Sequence, residues 1–171
     1  MMPDCVVPTI KLGGDSIMVW GCFSSQGTGD LIKIDGIMKK EDYKKILVQN
    51  AVPSGLRLIG DGFIFQQDNY SKHSSKLCRG YLEEKEAQGV SKNMIWPPQS
   101  PDLNPIELLW EELDRNVRNC GPSSREEMWN ALCESWSNIS QDTINKLNAR
   151  MPRLVKKVIE CKRGFFDEKS V

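Results

Sequence analysis

The sequence predicts an α/β protein, a mixed sheet with helices packed on it. Two patterns carry that expectation. Short runs rich in β-forming residues alternate with stretches whose apolar residues recur every three or four positions, and the last third of the chain, from Pro105, reads as one helix after another. At 171 residues, with 39% hydrophobic and 27% charged residues, the chain has the length and composition of one globular domain.

The elements follow in order. Residues 5–10 suit an edge strand, since Pro8 is tolerated there and not in a sheet centre. Gly13 and Gly14 turn the chain. Residues 16–23 form a nearly continuous apolar run of strand length, as expected of a strand covered on both faces. A turn cluster at 24–29 leads to the alternating residues 30–36, which completes a hairpin. From Lys39 the period becomes helical, with Tyr43, Ile46, Leu47 and Ala51 on one stripe and Pro53 as the expected stop. Lys39, Lys40, Lys44 and Lys45 surround that stripe. They read as a solvated face in preference to a DNA contact surface.

After the turn at 60–62, residues 63–65 begin a strand that carries Gln66, Gln67 and Asp68 at its far end. A helix is expected over 72–86, with Leu77, Cys78, Tyr81 and Leu82 inward. A short strand at 93–96 is stopped by Pro97 and Pro98. Pro98, Pro101 and Pro105 should stiffen the following loop. The next helix runs from Pro105 to about Arg118, with Ile106, Leu109, Trp110, Leu113 and Val117 inward, and Gly121-Pro122 breaks it. Ser123 or Ser124 caps a helix carrying Met128, Trp129, Leu132 and Trp136, and Ser140 caps another. Pro152 is expected to open the last, with Leu154, Val155, Val158 and Ile159 inward. Arg150, Arg153, Lys156, Lys157, Lys162 and Arg163 make this end basic. A solvated face is the preferred reading and a phosphate-backbone surface the alternative.

The formal net charge is zero, which neither supports nor excludes nucleic acid as a partner. Six cysteines without a CxxC pair, and one histidine, argue against structural zinc and for reduced, packed thiols. No apolar run is long enough to span a bilayer and no signal-peptide pattern is present, so an intracellular location is expected.

Two carboxylates stand out. Asp68 closes an apolar strand, and Asp-Asn there is equally a turn starter. Glu107 falls at the third position of a helix whose cap is Asn104 and whose first residue is Pro105. Spacing alone favours a capping role for it. Delivered from a strand end and a helix start, the two acids could instead share a divalent metal. Metal ions of that kind activate the attacking oxygen and stabilise the leaving one in phosphodiester chemistry. Asp102 is read as ordering its loop, and His73 as a packed or supporting residue and not a general base.

The residues 65–69 (Phe-Gln-Gln-Asp-Asn) with Lys72-His73, then Trp96-Pro97, residues 99–107 and Leu109-Trp110, closely resemble the catalytic domain of mariner-superfamily DDE transposases. The branch is the one whose third acid is Glu. Residues 8–11, Gly13-Gly14, residues 18–23 and 151–153 are similar to that branch as well, so the resemblance covers nearly all of residues 1–171.

The resemblance implies an RNase H-like α/β fold with extra C-terminal helices and a site that cuts and joins DNA with Mg²⁺ or Mn²⁺. Asp68 matches the second acid and Glu107 the third, as catalytic and metal-binding residues. Lys72 and His73 are candidate nucleic-acid contacts. Transposon-end DNA is the implied partner, with a nuclear location and no membrane.

The sequence departs from the pattern in several places. The family's first strand, with its acid, lies upstream of the segment matched by residues 8–11, and both are expected to be missing here. The family's amino-terminal helix-turn-helix region is expected to be missing too. Asp4 and Asp15 are the early carboxylates, neither in the matching motif, and Ser71 replaces a usual proline. The 38 residues between Asp68 and Glu107 exceed the usual spacing, and the extra length is expected within residues 83–93. With one acid gone, metal affinity should fall steeply and the chain alone should be inactive. A homodimer or partner would then supply the strand. The alternative is a non-enzymatic nucleic-acid-binding or protein-interaction module.

Overall fold

The computed structural model describes residues 4–6, 9–12, 15–97 and 103–160, with side chains from residue 16 onward. Its strands are β1 (Asp4–Val6), β2 (Thr9–Leu12), β3 (Asp15–Ser24), β4 (Gly27–Ile34), β5 (Phe63–Gln67) and β6 (Ser91–Asn93). Its helices are α1 (Lys40–Ile46), α2 (Val52–Leu58), α3 (Lys76–Ala87), α4 (Pro105–Cys120), α5 (Arg125–Ser137) and α6 (Gln141–Glu160).

The strands form one mixed sheet. β3 pairs with β4 on one edge and with both β1 and β2 on the other. β1 and β2 share a single antiparallel register along β3, from Asp4 opposite Phe23 to Leu12 opposite Asp15. The two registers lie on one line along β3. β1 also pairs in parallel with β5, and β5 in parallel with β6.

The place expected to stand open for want of the family's first strand is occupied in part. β1 lies there between the hairpin and β5, and gives ladder partners to Gly21, Cys22 and Phe23 of β3 and to Gln66 and Gln67 of β5. The edge-strand reading holds for β2 alone, since β1 is paired on both sides. The strand expected over residues 5–10 thus includes Cys5 and Val6 of β1, but not their central place, which distant pairing partners set.

β3 confirms its two-faced reading. Ile17, Val19 and Phe23 enter a core with Ile106, Leu109, Trp110 and Leu113 of α4 and with Met128, Leu132 and Trp136 of α5. Trp20 and Cys22 enter a second core with Tyr43, Ile46, Leu47, Phe63, Phe65, Cys78 and Leu82. Alternation along one strand thus places helices on both faces, α4 to α6 on one and α1 to α3 on the other.

Several boundaries differ from expectation. Pro53 does not end the first helix. A π-helical turn over Leu47–Ala51 joins α1 to α2, and Pro53 sits in the first turn of α2. The wider turn accommodates a residue that cannot donate a backbone bond. α3 starts at Lys76 with Ser75 as its cap, later than expected, and Leu77 lies outside while Cys78 and Leu82 are buried. The last strand, β6, ends at Asn93 and so lies earlier than the predicted 93–96. α6 continues through Pro152, and of its expected inner face Leu154 is buried while Val155 and Ile159 are exposed. Among the described residues, Cys22 and Cys78 are buried free thiols, Cys133 is partly buried, and Cys120 is exposed, which departs from the packed reading. Among the described residues no helix is long and apolar enough to cross a membrane.

Candidate metal centre

Asp68 follows directly on β5, whose Phe63 and Phe65 are buried and fix the strand end. Among the described residues, both hydrogen bonds to the Asp68 carboxylate fall on Oδ1. One comes from the Tyr70 backbone N–H at 3.1 Å and the other from His73 Nδ1 at 2.5 Å. The turn reading and the site reading of Asp68 are therefore compatible, since the turn uses one oxygen and leaves the other. Asn69 ties this turn to the β6 exit by donating to the Trp96 carbonyl at 2.9 Å. A cleft of about 410 Å³ opens beside Asp68, lined in part by Arg79, Leu82, Met94, Ile95 and Trp96.

His73, a candidate nucleic-acid contact by sequence, is 1% exposed. The structure places it inside, where no phosphate reaches it in this conformation. Its ring lies 4.0 Å, centroid to centroid, from that of Tyr43 and meets Tyr70 edge-on at 5.3 Å. Tyr43 is fully buried, and its hydroxyl donates to Gln67 Oε1 at 2.6 Å. The sequence marks Tyr43 only as a core residue. A phenol on a buried stripe needs a hydrogen-bond partner, and that is the available signal. Lys72 is partly exposed and lines a surface hollow with Lys39 and Lys40.

Glu107 arrives on the first turn of α4. Asn104 caps the helix, its Oδ1 accepting from the Ile106 N–H at 3.4 Å. The reciprocal half of a capping box is not formed. Among the described residues the Glu107 carboxylate has no hydrogen-bond or ion-pair partner. Its pKa is raised above the ordinary glutamate value by burial first, then by the negative charges of Asp68 and Glu111. An anion held among anions, with no cationic side chain among the described residues to offset it, is the electrostatic setting of a cation site.

The two carboxylates therefore fit as protein ligands for a hard divalent cation, which takes oxygen donors. They are an incomplete set. No group of three or more metal-ligating side chains occurs among the described residues. The backbone register places Asp4 beside Gln66 and Cys5 beside Gln67, so one further step sets Val6 level with Asp68. Asp102 and the rest of 98–102 lie outside the described residues, as do the side chains of Asp4 and Asp15.

The sequence model of the DDE superfamily endonucleases matches residues 13–129. The chain belongs to this superfamily. Within it the relatives are mariner-group transposases. The chain is 41% identical over 159 residues to the Tc1 transposase of Caenorhabditis elegans, covering 93% of this chain and 57% of that protein. It is 39% identical over 163 residues to the Tcb2 transposase of Caenorhabditis briggsae, covering 95% and 58%. The chain thus spans less than two thirds of the length of these curated relatives.

The fold matches the catalytic domain of Mos1 mariner transposase with a TM-score of 0.84 at 15% identity, covering 97% of this chain and 84% of that one. It also matches Mos1 transposase in a paired-end complex with the left transposon end, with a TM-score of 0.82 at 14% identity and 97% and 56% coverage. The DDE fold expected from the motifs, RNase H-like with helices on both faces, is the fold observed.

Proposed function

We propose that this chain is the catalytic-domain part of a DDE transposase, built for metal-dependent cleavage and joining of transposon-end DNA in the nucleus. The observation that carries the reading is a half-buried Glu107 carboxylate with no cationic partner among the described residues, whose pKa is raised by burial first and then by the charges of Asp68 and Glu111. Asp68, through its unbonded Oδ2, and Glu107 would hold Mg²⁺ or Mn²⁺. Such an ion supplies charge to the attacking and leaving oxygens of a phosphodiester. Lys72, with Lys39 and Lys40 beside it, offers cationic contacts to the DNA backbone. The 171 residues as they stand are proposed to cut DNA weakly or not at all, because the described part of the site holds two acids where three are used.

A thermal melt with and without Mn²⁺ or Mg²⁺ tests the reading. A transition that rises with metal in the parent chain, and fails to rise in Asp68→Ala and Glu107→Ala, supports it. A melt indifferent to metal, combined with salt-sensitive DNA binding that survives both substitutions, would replace the enzyme-derived reading with a binding module. Robust metal-dependent nicking by the parent chain, lost in Asp68→Ala, would overturn the claim of weak activity alone.

A further inference from the structure

The Asp68 carboxylate is held from one side only. Its Oδ1 takes both the Tyr70 N–H and His73 Nδ1, while Oδ2 has no donor among the described residues. A carboxylate accepts and does not donate, so Nδ1 must carry the hydrogen of the His73 contact. The His73 ring is in turn fixed. It is 1% exposed, lies against Tyr43 and meets Tyr70 edge-on, and its Nε2 is buried without a partner among the described residues. Tyr43 is anchored through its hydroxyl to Gln67, the residue preceding Asp68.

The chain Gln67–Tyr43–His73–Asp68 thus closes a loop that begins and ends on adjacent residues at the end of β5. A buried polar nitrogen left without a partner costs stability unless the arrangement is needed. Packing alone would be served as well by an apolar ring.

We propose that His73 is a positioning residue of the metal centre. By donating Nδ1–H to Oδ1 it fixes the carboxylate of Asp68 so that Oδ2 is presented to a divalent cation, and Tyr43 locks the imidazole in the rotamer that does so. The proposal rests on the metal reading above, and it goes further in assigning the geometry of one ligand to a buried pair that touches neither metal nor DNA. Removal of such a partner of a ligating carboxylate typically weakens metal binding about 10- to 100-fold.

The chain contains one histidine, so ¹⁵N-histidine labelling gives a single imidazole spectrum. The expected result is a solvent-protected proton on Nδ1 that changes in Asp68→Ala. Mn²⁺ titration should broaden the same signals in the parent chain. Two variants then separate positioning from packing. His73→Asn keeps an N–H near the place of Nδ1 and should retain most of the metal-induced rise in melting temperature. His73→Leu keeps apolar bulk without a donor and should weaken metal affinity about 10-fold or more.

Equal metal affinity in parent and His73→Leu, whatever their metal-free melting temperatures, overturns the proposal. So does an unprotected Nδ1, or one indifferent to Asp68→Ala. A parent chain that shows neither broadening nor a metal-induced rise overturns the metal reading, and with it the presentation of Oδ2 to a cation. The Nδ1 signal would then show only whether His73 holds Asp68 for some other purpose.

Discussion

Gly21→Ala should loosen the site from a distance. Gly21 lies in β3 beneath two stacked indoles, Trp110 of α4 and Trp136 of α5, whose rings are 5.2 Å apart and 17° from parallel. A Cβ at Gly21 would sit 2.8 Å from Trp110 Cη2 and 3.1 Å from Trp136, inside normal carbon–carbon contact. Neither ring can yield cheaply. Both are 4% exposed, and Trp136 is tethered by its Nε1–H to the Gly29 carbonyl at 2.9 Å.

Two effects of opposite sign compete. Replacing a strand glycine gains about 0.5–1 kcal/mol of backbone entropy. Overpacking a tight core costs about 1–3 kcal/mol. Because both obstructing atoms belong to buried, stacked rings, overpacking should win by about 1–2 kcal/mol, which lowers the melting temperature of a domain this size by roughly 2–8 °C. Trp110 stands one turn after Glu107, so the displaced helix should also move Glu107 and shrink any metal-induced rise. Gly80→Ala is the matched control. Its Cβ meets nothing within 4 Å on helix α3, so the variant should melt about 2–4 °C higher. Calorimetry on both variants decides the matter. A Gly21→Ala protein that melts as high as the parent or higher would refute the close approach of the helices to β3.

Two more predictions concern the carboxylates. The fold favours the protonated form of Glu107, so this group's contribution to stability is full below the ordinary glutamate pKa and is lost as pH rises through the raised one. Glu107→Gln and the parent should therefore melt alike in acid and separate towards neutral pH, with the variant melting higher in the absence of metal; a variant that melts lower at neutral pH would contradict the electrostatic reading. Val6→Asp places a carboxylate at the backbone level of Asp68 on the neighbouring strand. It should increase the metal-induced rise in melting temperature, and an unchanged rise would show that this register does not bring the new acid to the site.

What is legible in the sequence is decided by signal strength. β3 is readable because its run from residue 16 to 23 leaves no solvent face, and α4 because its five inward residues keep helical spacing and its cap and stop are both marked. β1 is legible only as part of the extended run at 5–10, and its central place is not, because that place is set by pairing partners far along the chain. Pro53 and Pro152 mislead for a common reason. Tertiary packing is not visible locally, and both helices continue because residues beside or beyond the proline are buried, Val52, Ser54 and Gly55 in one case and Leu154 in the other. Asp68 and Glu107 are found by motif. The Tyr43–His73 contact is not, since the two lie on separate elements and meet only when α1 packs beside the turn after β5.

The two acids are supported by different cores. Asp68 hangs on β5, whose Phe63 and Phe65 belong to the layer of α1 and α3. Glu107 hangs on α4, whose Ile106, Leu109 and Trp110 belong to the layer of α5 on the opposite face of the sheet. Without a cation their charges repel, and that repulsion acts between the two layers. A cation held by both would reverse the sign of this interaction and join strand end to helix start. Metal binding and the docking of α4 on the sheet are then linked equilibria: whatever loosens α4 must weaken metal affinity, and metal must resist the loosening. If Asp68 and Glu107 share a cation, the stacked indoles of Trp110 and Trp136, although outside the site, would affect its affinity through the docking of α4.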